Sequence, residues 1–433
     1  MPAGKIALTR ERTRLHGAVD AATAFLDDGL TTIAGMHGAI ARKPFAALRL
    51  APGVADVSEG VRVVHDGITN LVYGGIRAGI KVAGTAARVA AGIARTNPDD
   101  PPPGSMAEMA VAALNGFAGD RLARSGNPLA ATMHLRRRDA HVPIERDRLA
   151  AAFPNPTRRI AVFVHGLACS EGMWSAYSER HYGTPDVTYG SRLEADLGYT
   201  PLYVRYNTGL HISENGRAFA RLLERIVAEW PAGIDELALI GHSMGGLVVR
   251  SACHYGREAG LDWTRSARHV VFLGSPHLGA PLEKAVNIAA WCLGLIDVTR
   301  PLAVALNRRS AGIKDLRFGS LRDDDWQSAD LDALLSGRAG DVPLLEGASH
   351  YFVAATVTRH PRHPLGVAVG DLLVREPSAA ARGRVRHLQF PLVAGRHVGP
   401  MNHLELLNHP DLYEQMRRWF RDTRRNTSDR PSA

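Results

Sequence analysis

A serine flanked by glycines forms the most reactive pattern in this sequence. Ser243 lies in Gly-His-Ser-Met-Gly over residues 241–245, directly after an apolar run ending at Ile240 and before an apolar helical stretch. A G-x-S-x-G pattern between a strand and a helix is typical of a sharp turn that exposes a serine hydroxyl. The glycines leave room where this turn crosses its neighbours. We therefore predict that Ser243 is a nucleophile for acyl transfer.

A serine hydroxyl needs a base to remove its proton, and the C-terminal part of the chain offers four histidines. His403 follows the last predicted strand and precedes a helix, so it is the preferred base. His397 comes from the same loop and is the fallback. His387 and His409 are the other candidates, but His409 lies in Asn-His-Pro-Asp, which is more typical of a helix start.

An acidic residue should orient the base, and in this type of site it lies between the serine and the histidine in the chain. Asp371 is the preferred acid, because a glycine before it and an apolar run after it suit a loop carboxylate held against the core. Weaker alternatives are Asp297, Asp341 and Glu376.

Acyl transfer passes through an oxyanion, which pre-positioned backbone N–H groups stabilise. One predicted donor is the N–H of Met244, which follows the nucleophile at the N-terminus of its helix. The other is the N–H of Leu167, in a loop where Gly166 lets the chain turn. His165 is expected to brace this loop rather than to react.

These residues need a common scaffold, and the chain alternates between short apolar runs and helical patterns from residue 158 onward. A helix is predicted over 213–230, and strands are predicted over 160–164, 201–206, 236–240, 269–273, 351–357 and 385–390. Such alternation predicts an α/β fold with a mostly parallel, doubly wound sheet and helices on both faces. Residues 281–343 interrupt it and form a candidate lid.

This alternating pattern defines a catalytic domain predicted over residues 157–425. The rest of the chain lies before and after it. Residues 1–156 are expected to form a helical N-terminal region with a Pro-rich linker near 97–105, and residues 426–433 a disordered tail. The Gly-rich stretch 71–95 places four cations on one helical face: Arg77, Lys81, Arg88 and Arg95. Close packing against another helix is the simpler interpretation, and peripheral contact with an anionic lipid surface is the alternative.

The composition is that of an ordinary globular protein, with 433 residues, 45% hydrophobic and 22% charged. The net charge of +9 is not accompanied by any nucleic-acid-binding motif, so no nucleic-acid partner is predicted.

The N-terminus lacks a secretory apolar region, and the three cysteines have neither disulfide nor metal-site spacing. No apolar run approaches the roughly 20 residues that span a bilayer. A cytoplasmic location is expected, with any membrane contact peripheral.

Several segments occur in the order seen in one superfamily: 165–166, 241–247, Gly-Ser-Pro-His-Leu-Gly-Ala-Pro at 274–281, 370–374 and 402–404. In these segments the chain resembles α/β hydrolases, specifically bacterial triacylglycerol lipases and esterases similar to GPI inositol-deacylases. The resemblance covers roughly residues 158–420 and gives His277 a structural role beside the site. Two positions depart from the family pattern: Ser275 replaces a threonine, and Leu372 replaces a more usual glycine.

The leading hypothesis is a serine carboxylic-ester hydrolase, an esterase or lipase that cleaves a lipid-like or acyl ester through an acyl-enzyme. This chemistry requires no metal or organic cofactor. Acyl transfer to an acceptor other than water is the second enzyme hypothesis. A non-catalytic lipid-surface or scaffold protein is the non-enzyme alternative. The apolar segment 289–296 of the candidate lid is expected to cover the site and bind an acyl chain.

Overall fold

The computed structural model describes residues 106–127, 129–137, 140–279, 309–327, 342–359 and 395–428, together with isolated positions elsewhere. The chain divides into two compact units. The first contains residues 1–101 and 105–114, and the second contains residues 102–104 and 115–433.

Eight described strands form one sheet at the centre of the second unit. Its strands are β1 His134–Arg137, β2 Ala140–Val142, β3 Arg159–Val164, β4 Thr200–Arg205, β5 Glu236–His242, β6 Ala267–Leu273, β7 Ser349–Ala355 and β8 Gly395–Val398. Their order across the sheet is β2-β1-β4-β3-β5-β6-β7-β8. Strand β1 is antiparallel to β2 and β4, whereas every pair from β4 to β8 is parallel. The carboxyl ends of the parallel strands therefore share one edge, where sites form in such sheets.

Helices connect the parallel strands. The described helices are α1 Met106–Arg124, α2 Arg146–Ala152, α3 Ser178–Tyr182, α4 Tyr189–Leu197, α5 Ile212–Glu229, α6 Met244–Glu258, α7 Trp263–Ser266, α8 Ala311–Asp315, α9 Asp324–Gln327 and α10 Pro410–Ser428. Two short 3₁₀ helices, Glu171–Ser175 and His403–Leu407, follow β3 and β8. In the part of the chain that the structure describes, no helix combines the length and apolar character needed to cross a membrane.

Two apolar cores lie on opposite faces of the sheet, and β3 contributes alternate residues to each. Val162 and Val164 pack in a core with residues of α5 and α6, whereas Ala161 and Phe163 pack with residues of α4 and α10. All four are fully buried. Burial on both faces explains why the strand is almost continuously apolar. The predicted doubly wound sheet with helices on both faces is confirmed.

The predicted strands from 160–164 to 351–357 occur as β3 to β7, and the predicted helix over 213–230 occurs as α5. The predicted strand at 385–390 lies outside the described residues. The structure instead has β8 at Gly395–Val398, which the sequence analysis treated as loop. Among the described strands it pairs with β7 alone, and three of its four residues are not buried. An edge strand of this kind needs no apolar pattern, so the sequence gives little sign of it.

Strands also occur before residue 157, where only helix and irregular chain were expected. Leu135 and Val142 of β1 and β2 are buried in the same core as Leu149 of α2. The arginines that follow Leu135 hide the alternation of apolar and polar residues that marks a strand. The sheet therefore starts at residue 134.

Other predictions fall mostly outside the described residues: the linker at 97–105, much of the Gly-rich stretch 71–95, most of the candidate lid at 281–343, and the end of the tail. The described positions between 73 and 85 are helical, and α10 continues to Ser428. Residues 309–327, within the candidate lid, include α8 and α9.

Candidate active site

Ser243 occupies the turn between β5 and α6 in a strained backbone conformation. Its φ is 53° and its ψ is −125°, which a residue with a side chain adopts only when its surroundings impose it. The N–H of Ser243 donates to the Leu273 carbonyl at 2.8 Å and so ties the turn to β6. Ser243 is partly exposed, whereas His242 and Met244 on either side are buried. The turn thus presents the hydroxyl-bearing residue to solvent at the carboxyl edge of the sheet.

The glycines of this turn lie where no side chain fits. A Cβ on Gly241 would be 2.5 Å from Gly246 Cα, and a Cβ on Gly245 would be 2.2 Å from the Val164 carbonyl oxygen. Real Cβ atoms essentially never approach other atoms so closely. The glycines therefore leave room for the crossing of strand and helix, as the sequence pattern indicated.

His403 and Asp371 form a buried pair. His403 Nδ1 lies 2.7 Å from Asp371 Oδ2, and the two side chains are 4% and 1% exposed. Asp371 Oδ1 accepts a second hydrogen bond, from Val374 N–H at 2.8 Å, and the Asp371 carbonyl accepts one from His403 N–H at 3.0 Å. In the described part of the chain, His403 Nε2 is buried without a hydrogen-bond partner. The carboxylate thus orients the ring and leaves its second nitrogen available.

The His403 ring lies beside the Ser243 turn. A Cβ on Gly274 would be 3.1 Å from His403 Cε1, and Gly274 directly follows Leu273, the residue that accepts the Ser243 hydrogen bond. From the turn itself, His242 Nε2 donates to the His403 carbonyl at 3.0 Å. Burial lowers the pKa of His242 well below its ordinary value, so this ring is neutral. These contacts hold the histidine loop against the turn.

The other candidate residues occupy different environments. His397 lies on β8 with its Nε2 3.0 Å from Thr356 Oγ1. The backbone N–H of His409 donates to Tyr189 Oη at the start of α10. His277 is buried beside Arg250 and packs edge-on against Phe272, and its structural role stays a prediction. The remaining alternatives lie outside the described residues: His387, Asp297, Asp341 and Glu376.

The two predicted oxyanion donors come from segments that border Ser243. Met244 begins α6, and amides in the first turn of a helix lack acceptors within the helix. Leu167 follows Gly166, where a Cβ would be 3.1 Å from Ser243 Cβ. This close approach places the loop after β3 directly beside the serine.

His165 anchors the start of that loop. Its Nδ1 donates to the Gly166 carbonyl at 3.0 Å, and its ring stacks on Tyr206 with centroids 4.5 Å apart. Tyr206 in turn donates from its hydroxyl to the His165 carbonyl at 2.8 Å. Burial lowers the pKa of His165 to about 4, which keeps the ring neutral at pH 7. These contacts suit a bracing role.

A buried ionic cluster, which the sequence analysis missed, holds the other end of the loop. Glu171 accepts hydrogen bonds from Arg136 Nε at 3.0 Å and from the Arg205 guanidinium at 2.7 and 2.8 Å. Burial raises the pKa of Glu171, but the hydrogen bonds and charge of Arg205 outweigh it and lower the pKa overall. The partners are 34 and 35 residues away in sequence, so no local pattern signals the cluster.

Within the described residues, no group of three or more histidine, cysteine, aspartate or glutamate side chains is arranged to hold a metal ion.

Comparison with known proteins adds a family match to this geometry. Residues 189–324, which include the Ser243 turn, match the model of the PGAP1-like alpha/beta domain. That match coincides with a strained serine turn between a parallel strand and a helix, at the centre of a doubly wound sheet. The chain has the α/β-hydrolase fold. No curated protein matches its sequence.

Solved structures similar to the chain include bacterial lipases and an esterase. Bacillus licheniformis lipase BlEst2 in its mature form is 18% identical, over 61% of this chain and 93% of that one, with a TM-score of 0.40. Staphylococcus hyicus lipase is 14% identical, over 63% and 98%, with a TM-score of 0.38. The thermostable carboxylesterase EstE1 from a metagenomic library is 14% identical, over 64% and 82%, with a TM-score of 0.35.

Proposed function

We propose that the protein is a serine ester hydrolase with Ser243 as nucleophile, His403 as general base and Asp371 as the acid that orients it. The observation that carries the proposal is the buried His403–Asp371 hydrogen bond of 2.7 Å next to a strained, partly exposed serine. A carboxylate on one ring nitrogen and a second nitrogen without a partner beside such a turn is the arrangement that a general base requires.

In the proposed first step, Ser243 Oγ attacks the carbonyl carbon of the ester while His403 Nε2 takes its proton. Asp371 accepts the Nδ1–H bond throughout, which fixes the tautomer of the ring and stabilises the imidazolium that forms. Such a triad accelerates the reaction because the base is held in position before the substrate arrives.

The carbonyl oxygen becomes negatively charged in the tetrahedral intermediate. The N–H groups of Met244 and Leu167 are proposed to donate to this oxygen. When the intermediate collapses, the bond to the alcohol breaks and His403 gives its proton to the leaving alkoxide. Water then attacks the acyl-enzyme with His403 again as base, and the carboxylic acid leaves Ser243 restored.

We propose an acyl or lipid-like ester as the substrate. Leu404, next to the base, is 38% exposed although it is apolar, so an apolar side chain lies beside the proposed site. The similar solved structures include lipases and a carboxylesterase. A lid over 281–343 and peripheral lipid contact through residues 71–95 stay predictions that extend this proposal.

Labelling of the purified full-length chain with a fluorophosphonate tests the nucleophile. We expect an adduct on Ser243 in the wild type, no adduct in Ser243→Ala, and normal labelling in Ser125→Ala, which alters an exposed serine at the end of α1. Folded wild-type protein that forms no adduct would contradict the proposal.

The substrate class needs a second measurement. Hydrolysis of p-nitrophenyl esters from short to long acyl chains should depend on Ser243 and show which acyl length is preferred. Adding a primary alcohol separates hydrolysis from acyl transfer, since a transferase would form a new ester in preference to the free acid. Dominant formation of the new ester at low alcohol concentration would replace the hydrolase proposal.

A further inference from the structure

The C-terminal half of α1 touches the loop that carries the proposed oxyanion donor Leu167. A Cβ on Gly116 would be 2.7 Å from Ala168 Cβ and 2.9 Å from Ala168 Cα. The helix backbone at residue 116 therefore lies directly against the residue after Leu167. A side chain at this position would displace either the helix or the loop.

Ala168 has an unusual backbone conformation where the helix meets the loop. Its φ is 57°, in the left-handed region, which is unfavourable for a residue with a side chain. Such a conformation persists only when the surrounding structure imposes it. The Ala168 N–H donates to Thr208 Oγ1 at 3.2 Å, so the loop is held from one side by Thr208 and from another by Gly116.

The helix is also tied to the segment that contains Thr208. Asn207, which is buried, donates from Nδ2 to the Gly119 carbonyl at 2.9 Å, and its Oδ1 accepts from Gly209 N–H at 3.0 Å. A Cβ on Gly119 would be 1.9 Å from Asn207 Oδ1. Direct contacts therefore run without interruption from α1 through Asn207 and Thr208 to Ala168.

A third segment connects Gly116 to the second proposed donor. The buried Ser310 hydroxyl donates to the Gly116 carbonyl at 2.6 Å. Two residues later, a Cβ on Gly312 would be 3.0 Å from Met244 Cε and 2.2 Å from the Thr208 carbonyl oxygen. Gly116 thus contacts the residue after Leu167 and, through Ser310, the segment that contacts the Met244 side chain.

We propose that Gly116 is a positioning residue for the oxyanion hole. Because Gly116 lacks a Cβ, α1 approaches Ala168 closely enough to keep the preceding Gly166–Leu167 peptide, whose N–H is the proposed donor, beside Ser243. This inference rests on the proposed ester hydrolysis and deepens it, because it extends the catalytic machinery to α1, outside the 157–425 region that sequence patterns assign to catalysis. The backbone of α1 at Gly116 is then part of the machinery rather than of a separable leader.

Gly116→Ala in the full-length chain tests the role. We expect kcat for a p-nitrophenyl ester to fall about tenfold or more with KM changed less than about twofold, since removing one oxyanion donor lowers kcat by about 10²–10³ and displacing it should do part of this. Alanine favours helix formation over glycine, so a weaker helix does not explain such a loss. Arg124→Ala, which removes an exposed side chain that bonds only to Asp120 of the same helix among the described contacts, should leave kcat unchanged.

A double variant separates positioning from general damage. Ala168→Gly removes the atom nearest the new methyl group and suits a φ of 57°, so Gly116→Ala/Ala168→Gly should regain much of the kcat lost by Gly116→Ala. Recovery is expected to be partial, because the backbone of residue 168 would still lie 2.9 Å from the added methyl group. A merely structural defect of α1 would not be corrected by a change in the loop.

An unchanged kcat in folded Gly116→Ala would overturn the inference, as would a loss that matches the unfolded fraction and is not recovered in the double variant. If Gly116→Ala does not fold, Ser310→Ala decides, because it removes the hydrogen bond to the Gly116 carbonyl without adding a side chain to α1. The variant also removes the bond that Ser310 Oγ accepts from Ile313 N–H, so circular dichroism must show that it is folded. A several-fold lower kcat at constant KM supports the inference, and an unchanged kcat overturns it. Absence of esterase activity in the wild type would instead contradict the proposed function. Fluorophosphonate labelling of Ser243 tests that function independently of the Gly116 variants.

Discussion

At the scale of single residues, the proposed chemistry depends on the direction in which the His403 ring presents its nitrogens. Asp371 Oδ2 occupies the Nδ1 side at 2.7 Å, and backbone N–H groups hold the carboxylate and its loop in place. The proton on Nδ1 therefore has a fixed acceptor, and the lone pair is kept on Nε2. In the proposed mechanism the carboxylate acts by selecting the tautomer of His403 that carries its proton on Nδ1.

Asp371→Asn is expected to lower kcat by about 10⁴-fold with a small effect on KM. An asparagine keeps the shape of the side chain, but its amide can stabilise the wrong tautomer of His403. Steady-state kinetics with a p-nitrophenyl ester, alongside circular dichroism to verify folding, measures the effect. A loss smaller than about tenfold in folded protein would remove Asp371 from the proposed site.

The choice between His403 and His397 as base has its own test. His403→Ala should abolish ester hydrolysis and fluorophosphonate labelling, because no other described histidine pairs with Asp371. His397→Ala should retain most of the activity, since His397 lies on β8 beside Thr356. Reversal of these two outcomes would show that the fallback assignment is the correct one.

At the scale of elements, the turn between β5 and α6 is held by close backbone approaches. Gly245 lies against the carbonyl oxygens of Val164 and His165, to which its Cβ would be 2.2 and 2.4 Å. Backbone carbonyls cannot rotate away as a flexible side chain can. The position of the serine is therefore coupled to β3 and to the loop that follows it.

Gly245→Ala is expected to lower the free energy of unfolding by about 3 kcal/mol or more, because an added methyl group in a tightly packed region forces the backbone to shift. Gly198→Ala is the matched control: its φ is 69° but a Cβ there meets open space, so only the left-handed backbone cost of about 1–2 kcal/mol applies. Urea unfolding gives both values. Equal losses in the two variants would contradict the packing argument.

The ionic cluster around Glu171 supports the loop from the other side. Glu171→Gln should lower the free energy of unfolding by about 3–5 kcal/mol, because it removes the negative charge that lies between Arg136 and Arg205 in a buried site. Asp235→Asn disrupts the exposed ion pair with Arg158 and should have a much smaller effect. Comparable losses from the two variants would mean that burial of the cluster has little energetic consequence.

At the scale of the whole molecule, buried neutral histidines make the free energy of unfolding depend on pH. Burial lowers the pKa of His165 and of His350 to about 4, and both rings make a hydrogen bond to a backbone carbonyl. In the unfolded chain these histidines return to their ordinary pKa of 6.5. Below that pH the unfolded state binds more protons than the folded state, so acid favours unfolding.

The free energy of unfolding should therefore decrease as pH falls from about 6.5 to about 4, with each histidine contributing on the order of 3 kcal/mol once the pH is below both pKa values. Urea unfolding at several pH values measures this dependence. His165→Gln should make the curve less steep in this window, because one of the titrating groups is gone. Identical pH dependence in the variant and the wild type would contradict the assignment.

The sequence by itself determined the turn that carries Ser243 and the positions along the chain of the strands β3 to β7. Ser243, its glycines, the strand before it and the helix after it are contiguous, so local sterics and apolar periodicity encode them together. Chain order and loop position in the sequence also predict His403 as the base and Asp371 as the acid. Their hydrogen bond across 32 residues, however, is made possible by the sheet, which brings separate loops to one edge.

Only the tertiary structure decided the remaining parts. The cluster of Arg136, Glu171 and Arg205 looks like ordinary surface charge in the sequence. Strand β8 lacks an apolar pattern because it lies at the edge of the described sheet. The close approach of Gly116 to Ala168 joins residues 52 positions apart (168 − 116). Such contacts depend on how closely two distant backbone segments pack in the folded chain. The helix and strand propensities of the residues carry no information on that distance.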